Sequence, residues 1–439
     1  MAHDGTSTLD PTARARSKAL AARPALAGRA PASERWLHAD RRAALADAAR
    51  ALLVTRLLVL VAGVVARTTV GERPGARAGF DPAHLTVPFG ALGDALVAPA
   101  ARWDAVWYLT IAERGYGLDA ARPAFLPLYP LLTWGAGAVV GSTVLGGILV
   151  SLLAFGVALY LLRRLTALEL GPEAARTAVW LTAAFPAALF FSAVYSEALF
   201  LALSVGCVYA ARTDRWAWAG VLGLLATGTR SAGIVLLVPL GVLLWQHRGA
   251  GLWRRAPWVG LVPLGIAAFC GWLALSGAGA RAPFDAQTVW NRELGDPFAG
   301  LWQGAFAAWD GARQLISGSS ERIFFTHAGG DPFQVARMNL QLFGFLVLAL
   351  VALVGAARRL PPAYAAYVLA ALALPLSTPV EAQPLMSLPR FVAVLFPLFM
   401  WGGWWLTRRG RPTRVVVGAA STAGLVLFTG QFATWRWVA

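Results

Sequence analysis

Residues 143–162 read TVLGGILVSLLAFGVALYLL, 20 residues without a charge, and the next two positions are Arg163 and Arg164. At about 1.5 Å of rise per residue, a helix of this length matches the ~30 Å hydrocarbon core of a bilayer. Inside lipid the backbone must satisfy its own hydrogen bonds, so a helix is the form such a segment takes. Arginines directly after the run mark a cytoplasmic end. Comparable apolar runs lie at 51–66, 174–192, 195–211, 216–228, 231–245, 256–275, 339–357, 362–376, 389–406 and 413–430, which makes eleven in all. Several fall below the ~17 residues a straight crossing needs, so broken or partly sunk helices are expected among them.

Composition leads to the same class. Of 439 residues, 58% are hydrophobic and 14% charged, and the mean hydropathy is +0.59. Soluble domains sit nearer 45–50% apolar and about 25% charged. A water-exposed surface cannot be built from so few charges, which excludes a soluble globular enzyme. The 19 tryptophans suit anchors at membrane interfaces. The formal charge is +16, and Lys18 is the single lysine among 38 basic residues. The body of the chain therefore has no lysine for a Walker-type phosphate loop or a Schiff base. The arginines are scattered in short clusters between apolar runs, which argues against nucleic acid as a partner. Cys207 and Cys270 lie in apolar runs, and His3, His38, His84, His247 and His327 lack ligand spacing. With no Asp-x-Asp motif either, neither a metal nor a cofactor is expected.

Arginine counts then orient the chain. With the N-terminus inside, every cytoplasmic turn carries at least two arginines, while the outside turns at 193–194, 229–230 and 377–388 hold only Arg230. This requires that 123–140, which begins with Pro123, Pro127 and Pro130, lies in the outer leaflet without crossing. The expected fold is an all-α polytopic membrane protein of about 11 transmembrane helices, with the C-terminus outside. Its expected parts are a cytoplasmic, Arg-rich, largely disordered tail at 1–50, ending in an interfacial helix around 36–50, and a transmembrane module at 51–275. That module includes an external loop at 67–142. A second external loop at 276–338 and C-terminal helices at 339–439 follow. Residues 1–50 lack the apolar stretch of a signal peptide. The bias toward Ala and Arg points to a GC-rich bacterial genome, hence a plasma membrane with the site facing outside.

The 22 acidic residues are scarce enough for their placement to matter. Glu197 stands between continuous apolar runs, where a charge costs about 2.5–3.5 kcal/mol on insertion scales and needs a partner or an aqueous cavity. Asp104 opens an amphipathic stretch, Trp103-Asp104-Ala105-Val106-Trp107-Tyr108, which Gly115 ends. For both carboxylates the competing reading is a helix cap. Arg230 interrupts two short runs and Arg390 opens another on the same external side. Each either snorkels to headgroups or binds a phosphate through its planar fork.

Together these residues resemble a known family. Residues 103–108, Ile111-Ala112-Glu113, Gly115-Tyr116, Phe125-Leu126-Pro127-Leu128-Tyr129-Pro130, Tyr195-Ser196-Glu197-Ala198-Leu199-Phe200 and Thr227-Gly228-Thr229-Arg230-Ser231-Ala232-Gly233 look like the PIG-V mannosyltransferases. The likeness is strong over about 100–245 and weaker at 387–400. It implies a GT-C-type glycosyltransferase that takes mannose from a polyprenyl-phosphate-mannose donor, with the first external loop supplying the catalytic carboxylate. Asp104 matches that position and is expected to act as base. Arg230 and Arg390 are expected on the donor phosphate. Glu197, Tyr195, Trp103, Glu113 and Tyr129 are expected to hold or orient the sugar or acceptor. The acceptor would be a glycolipid or surface glycan, and inversion at the anomeric carbon follows from attack opposite the phosphate. Another polyprenyl-linked sugar, or a lipid or glycan transporter, remains the alternative.

Overall fold

A computed structural model describes residues 34–117, 119–246, 251–292, 295–321, 323–324 and 331–438, with side chains from residue 40 onward. Among them the chain is built from helices and turns, with no strand. The 20-residue run that opened the reading lies in helix Thr143–Leu170, which starts at the Ser142 cap and stops at Gly171. Five segments are long and apolar enough to cross a membrane: Asp40–Thr69, Thr143–Leu170, Leu252–Leu275, Pro332–Arg359 and Arg411–Ala433. The protein is an integral membrane protein of the all-α polytopic class.

Each of the other six apolar runs also carries helix, but shorter or interrupted, so the figure of eleven full spans is not reproduced by length. The run at 174–192 divides into Pro172–Ala183 and a 3-10 turn, Pro186–Phe191. The run at 231–245 starts as a 3-10 turn, Ser231–Leu236, before helix Leu237–Gln246. Leu388–Ala393 is separated from Phe396–Thr407. Prolines explain two of these breaks, because Pro186 and Pro397 each remove a backbone donor just inside the following segment. Carbonyls freed at the first break are met by Arg56, from helix Glu34–Thr69. Its guanidinium donates to Ala183 O at 2.9 Å, Ala188 O at 2.5 Å and Ser192 Oγ at 3.1 Å. Irregular backbone is tolerated at membrane depth when it is satisfied in this way.

The segment expected in the outer leaflet forms helix Leu128–Val140, 13 residues or about 20 Å long, too short for a full crossing. It folds back against Thr143–Leu170. A Cβ at Gly146 would lie 2.4 Å from Gly137 N, so the two helices touch there backbone to backbone. Of the segment read as a tail, 1–33 lie outside the described residues, and 34–50 are helical as the start of Glu34–Thr69. The last apolar-loop boundary also moves, since helix Pro332–Arg359 begins at 332 and not 339.

Candidate active site

Asp104 stands at the start of helix Ala105–Arg114, which Gly115 ends at φ 68°, a region glycine enters at little cost. The carboxylate does not cap this helix. Asp104 Oδ2 instead lies 2.5 Å from Arg390 Nη1. The preceding residue, Trp103, is held at φ 55°, a conformation that costs a non-glycine residue about 1–3 kcal/mol and persists only where packing enforces it. Its ring is wedged against Phe80 at 4.6 Å, Trp435 at 5.6 Å and Trp437 at 5.2 Å. The Asp104 N–H donates to the Tyr195 hydroxyl at 3.1 Å, and that hydroxyl donates to Arg102 O at 3.1 Å.

Glu197 is the first residue of helix Glu197–Arg212 and is 1% exposed. Two guanidiniums share its Oε1, Arg230 Nη1 at 2.6 Å and Arg390 Nε at 3.2 Å. Arg230 occupies extended backbone between helix Trp216–Thr229 and the Ser231–Leu236 turn. Its Nη1 also reaches Ser196 Oγ at 3.2 Å, and Ser196 shares a 2.8 Å hydrogen bond with the Tyr108 hydroxyl. Burial, reinforced by nearby Glu197, raises the Tyr108 hydroxyl well above its usual range, so it stays a neutral hydrogen-bonding group. Arg390 is carried on the short helix Leu388–Ala393, entered through Ser387 at φ 68°. Asp104, Arg390, Glu197 and Arg230 thus form one alternating chain of charges from four separate parts of the sequence.

A fifth residue joins them. Arg292, just past the 3-10 turn Ala286–Trp290 in the second loop, has its guanidinium 5.5 Å from the Phe391 ring. Arg230 and Arg390 approach the same ring at 5.9 and 5.7 Å. Arg292 Nη2 donates to Met386 O at 3.3 Å, and among the described residues no carboxylate pairs with it. Burial, then repulsion from Arg390, lowers its pKa to about 10, with Asp104 opposing; it is charged at neutral pH. Sequence reading missed it, because an arginine in a long polar loop stands out from nothing. The neighbouring Trp290 was the available signal, since it packs on Trp107 at 6.0 Å and Phe125 at 5.7 Å. Among the described residues, three guanidiniums against two carboxylates leave the cluster with one positive charge in excess.

Among the described residues, two expected site residues make no ion pair or hydrogen bond with the charged chain, although the Tyr129 ring packs on Tyr108 at 4.9 Å. The Tyr129 hydroxyl is buried, 3.0 Å from Gly147 O and 2.9 Å from Ser151 Oγ, where it braces the helix hairpin. Glu113 sits at the far end of its helix from Asp104 and accepts from Thr143 Oγ1 at 2.7 Å. The Glu113 position follows from helical geometry: nine residues on from Asp104 is about 13 Å along the axis.

The chain's end supplies an unexpected wall. Fully buried Arg102 pairs with Glu72 at 2.8 Å, donates to Ala433 O at 3.2 Å and lies 5.0 Å from the Trp435 ring. Glu72 also holds Arg67 at 3.1 Å and Arg77 at 3.8 Å. A small hollow of ≈ 10 Å³, room for about one water, is lined by Asp104, Arg390, Tyr195, Trp103, Phe432 and Trp437. Among the described residues, three buried polar atoms in the cluster have no hydrogen-bond partner: Trp103 Nε1, Glu197 Oε2 and Arg390 Nε, the last held near Glu197 by charge alone. Among the described residues no three His, Cys, Asp or Glu side chains come together as metal ligands do.

Fold and site together define a polytopic helical membrane protein with a linked acid–base cluster at one end of its helices. Residues 50–250 match the family model described as mannosyltransferase (PIG-V), and over this span the chain is PIG-V-like. The match takes in Asp104, Glu197 and Arg230 but stops short of Arg292 and Arg390. Curated relatives include GPI alpha-1,6-mannosyltransferase 2 of Mus musculus, 34% identical over 198 residues (41% of this chain, 38% of that one). The Rattus norvegicus protein of the same name is 34% identical over 213 residues, 44% of this chain and 41% of its own. The chain therefore spans about two fifths of the length of these relatives. Among solved structures, the apo oligosaccharyltransferase of Archaeoglobus fulgidus aligns at TM-score 0.44 and 14% identity, covering 88% of this chain and 56% of that one. ArnT from Cupriavidus metallidurans, bound to undecaprenyl phosphate, aligns at TM-score 0.36 and 14% identity, covering 88% and 85%.

Proposed function

We propose that the protein is a GT-C-type mannosyltransferase that moves mannose from a polyprenyl-phosphate-mannose donor to a glycolipid or glycan acceptor at the outer membrane face. The observation that carries this reading is the cluster's charge pattern: a carboxylate, Asp104, beside three guanidiniums at the rim of apolar helices. A lipid-phosphate sugar departs as a stable phosphate, so its transfer needs cations for the growing negative charge more than it needs an acid. It also needs a base for the acceptor hydroxyl, worth about 10²–10⁴ in rate. Asp104 is assigned that role. Arg390, Arg230 and Arg292 are assigned to the phosphate, Arg292 first because no carboxylate among the described residues already matches its charge. The unpaired Glu197 Oε2 suits a sugar hydroxyl and the unpaired Trp103 N–H suits a ligand oxygen. Tyr195, bonded to the Asp104 backbone, orients the base. A hollow of one water's size does not admit a sugar, so substrate entry requires the side chains that line it to rearrange.

In the proposed step the acceptor oxygen attacks the anomeric carbon as the bond to the donor phosphate breaks. The acceptor proton passes to Asp104, the phosphate leaves with the bonding pair, and the configuration inverts. The test is to incubate purified protein with radiolabelled polyprenyl-phosphate-mannose and membrane lipids. A new mannosylated lipid or glycan is the expected product. No transfer from this donor, with transfer from a different polyprenyl-linked sugar, would overturn the mannose assignment; movement of labelled lipid across vesicles without a new product would overturn the enzyme reading.

A further inference from the structure

We infer a second ligand site, at the opposite end of helix Trp216–Thr229, that receives the headgroup of an anionic phospholipid. Arg230 of the acid–base cluster follows this 14-residue helix and Arg215 precedes it, so about 20 Å of helix separates the two places. At the Arg215 end the chain leaves a hollow of ≈ 620 Å³ between residues 214–218, where helix Trp216–Thr229 begins, and the helix Leu252–Val259. That is within the ~300–1,000 Å³ common for small-molecule sites, and it belongs to no part of the proposed reaction.

The walls are of two kinds. Arg215, Arg254 and Arg255 face the hollow against one carboxylate, Asp214, leaving two positive charges in excess. Trp218 and Trp258, which are 63% and 40% exposed, supply apolar rings beside them. The frame is held in place. Asp214, at φ 59°, accepts from Trp216 Nε1 at 2.8 Å and pairs with Arg255 at 2.9 Å. Gly220 lets the two helices close, since a Cβ there would lie 2.2 Å from Trp258 O. Exposed tryptophans beside guanidiniums are the composition of a bilayer's headgroup layer. Guanidinium forks match phosphate oxygens, and basic pockets between membrane helices take anionic headgroups. A soluble phosphate would use the arginines but would have no use for the exposed rings, so the lipid is the occupant to which the site commits.

The test uses the full-length protein in detergent, with native mass spectrometry reading the lipid retained from equal phosphatidylglycerol and phosphatidylcholine. Wild-type protein is expected to keep phosphatidylglycerol preferentially. The double substitution Arg215→Gln with Arg254→Gln is expected to cut that preference about 25-fold, at roughly fivefold per arginine. Arg215→Lys with Arg254→Lys should keep most of it, and Arg358→Gln, on another arginine cluster, should leave it unchanged. Thermal melting of each variant checks the fold; if the double variant unfolds, quenching of tryptophan fluorescence by brominated phosphatidylglycerol against brominated phosphatidylcholine in wild-type protein replaces it. Equal retention of the two lipids, equal quenching, or unchanged preference in the folded double variant would overturn the site. Displacement of phosphatidylglycerol by millimolar inorganic phosphate would overturn the lipid assignment in favour of a soluble phosphate.

Discussion

Replacing Asp104 by Asn separates a chemical role from a structural one because the change removes a charge and almost no volume. Asp104 Oδ2 is 2.5 Å from Arg390 Nη1, and an amide oxygen can stand in the same place. The ion pair becomes a hydrogen bond in which only the guanidinium is charged, a loss of about 1–2 kcal/mol at most. Arg390 is not stranded, because Glu197 Oε1 remains 3.2 Å from its Nε. The structural cost is therefore about 1–2 kcal/mol, a melting shift of a few degrees at most. If Asp104 accepts the acceptor's proton, the lost general base removes about 10²–10⁴ from kcat, equivalent to roughly 3–5 kcal/mol on the barrier. The kinetic effect then exceeds the structural one, and the two are read independently. The assay is the initial rate of radiolabelled mannose transfer in nanodiscs at saturating donor, with protein amount matched by size-exclusion profile and melting curve. A folded Asn variant that keeps more than about a tenth of wild-type kcat would refute the assignment. A loss of activity matched by a collapse in melting temperature would reduce Asp104 to a strut.

Three further outcomes follow from the same coordinates. Arg292→Gln is expected to raise the KM for donor about 10- to 100-fold with kcat within a few fold, as loss of one charge-assisted phosphate contact would; steady-state kinetics in donor concentration check it. Glu72→Gln removes the carboxylate that Arg102 shares with Arg67 and Arg77; with Arg102 fully buried, about 3–5 kcal/mol of destabilisation is expected in a melting experiment. Gly146→Val places a branched side chain where a Cβ already meets Gly137 N at 2.4 Å and Thr133 O at 2.7 Å; a cost of about 1–3 kcal/mol or more from overpacking is expected, with loss of monodisperse protein on purification.

Charges were legible in the sequence wherever their surroundings were apolar. Glu197 and Arg230 interrupt hydrophobic stretches and Arg390 opens one, so each was conspicuous, and all three meet in the structure. Asp104 was legible through the aromatic stretch around it. Arg292 was not, since a guanidinium in a polar loop is ordinary and its contact with Met386 bridges 94 residues of chain. The tryptophans at 435 and 437 were hidden for the same reason: nothing local says that the end of the last helix packs on Trp103. Tyr129 and Glu113 were drawn toward the site by motif membership alone, and a motif does not say which face of a helix a residue occupies. The helix breaks lay in between. Prolines at 186 and 397 announce them, yet the run at 174–192 reads as continuous by hydropathy, because hydropathy does not register a missing backbone donor.

Those breaks and the charges explain one another. Asp104 precedes a helix, Glu197 begins one, Arg230 follows one, and Arg390 lies in the first turn of a fourth. Glu197 meets the positive end of its helix dipole and Arg230 the negative end of the helix before it, so both signs are favoured where they stand. Pairing offsets part of the desolvation that each charge would suffer alone at the edge of the bilayer. The arrangement also limits how the proposed reaction can proceed. Asp104 is a weaker base while Arg390 holds its Oδ2, and Arg390 cannot turn to a phosphate while it holds both Asp104 and Glu197. Under the proposed function, an arriving phosphate resolves both constraints in one exchange: Arg390 moves from Asp104 to the donor, and the base is freed only when a donor is present. Arg292, which pairs with no carboxylate among the described residues, is the group that can engage the phosphate before that exchange begins.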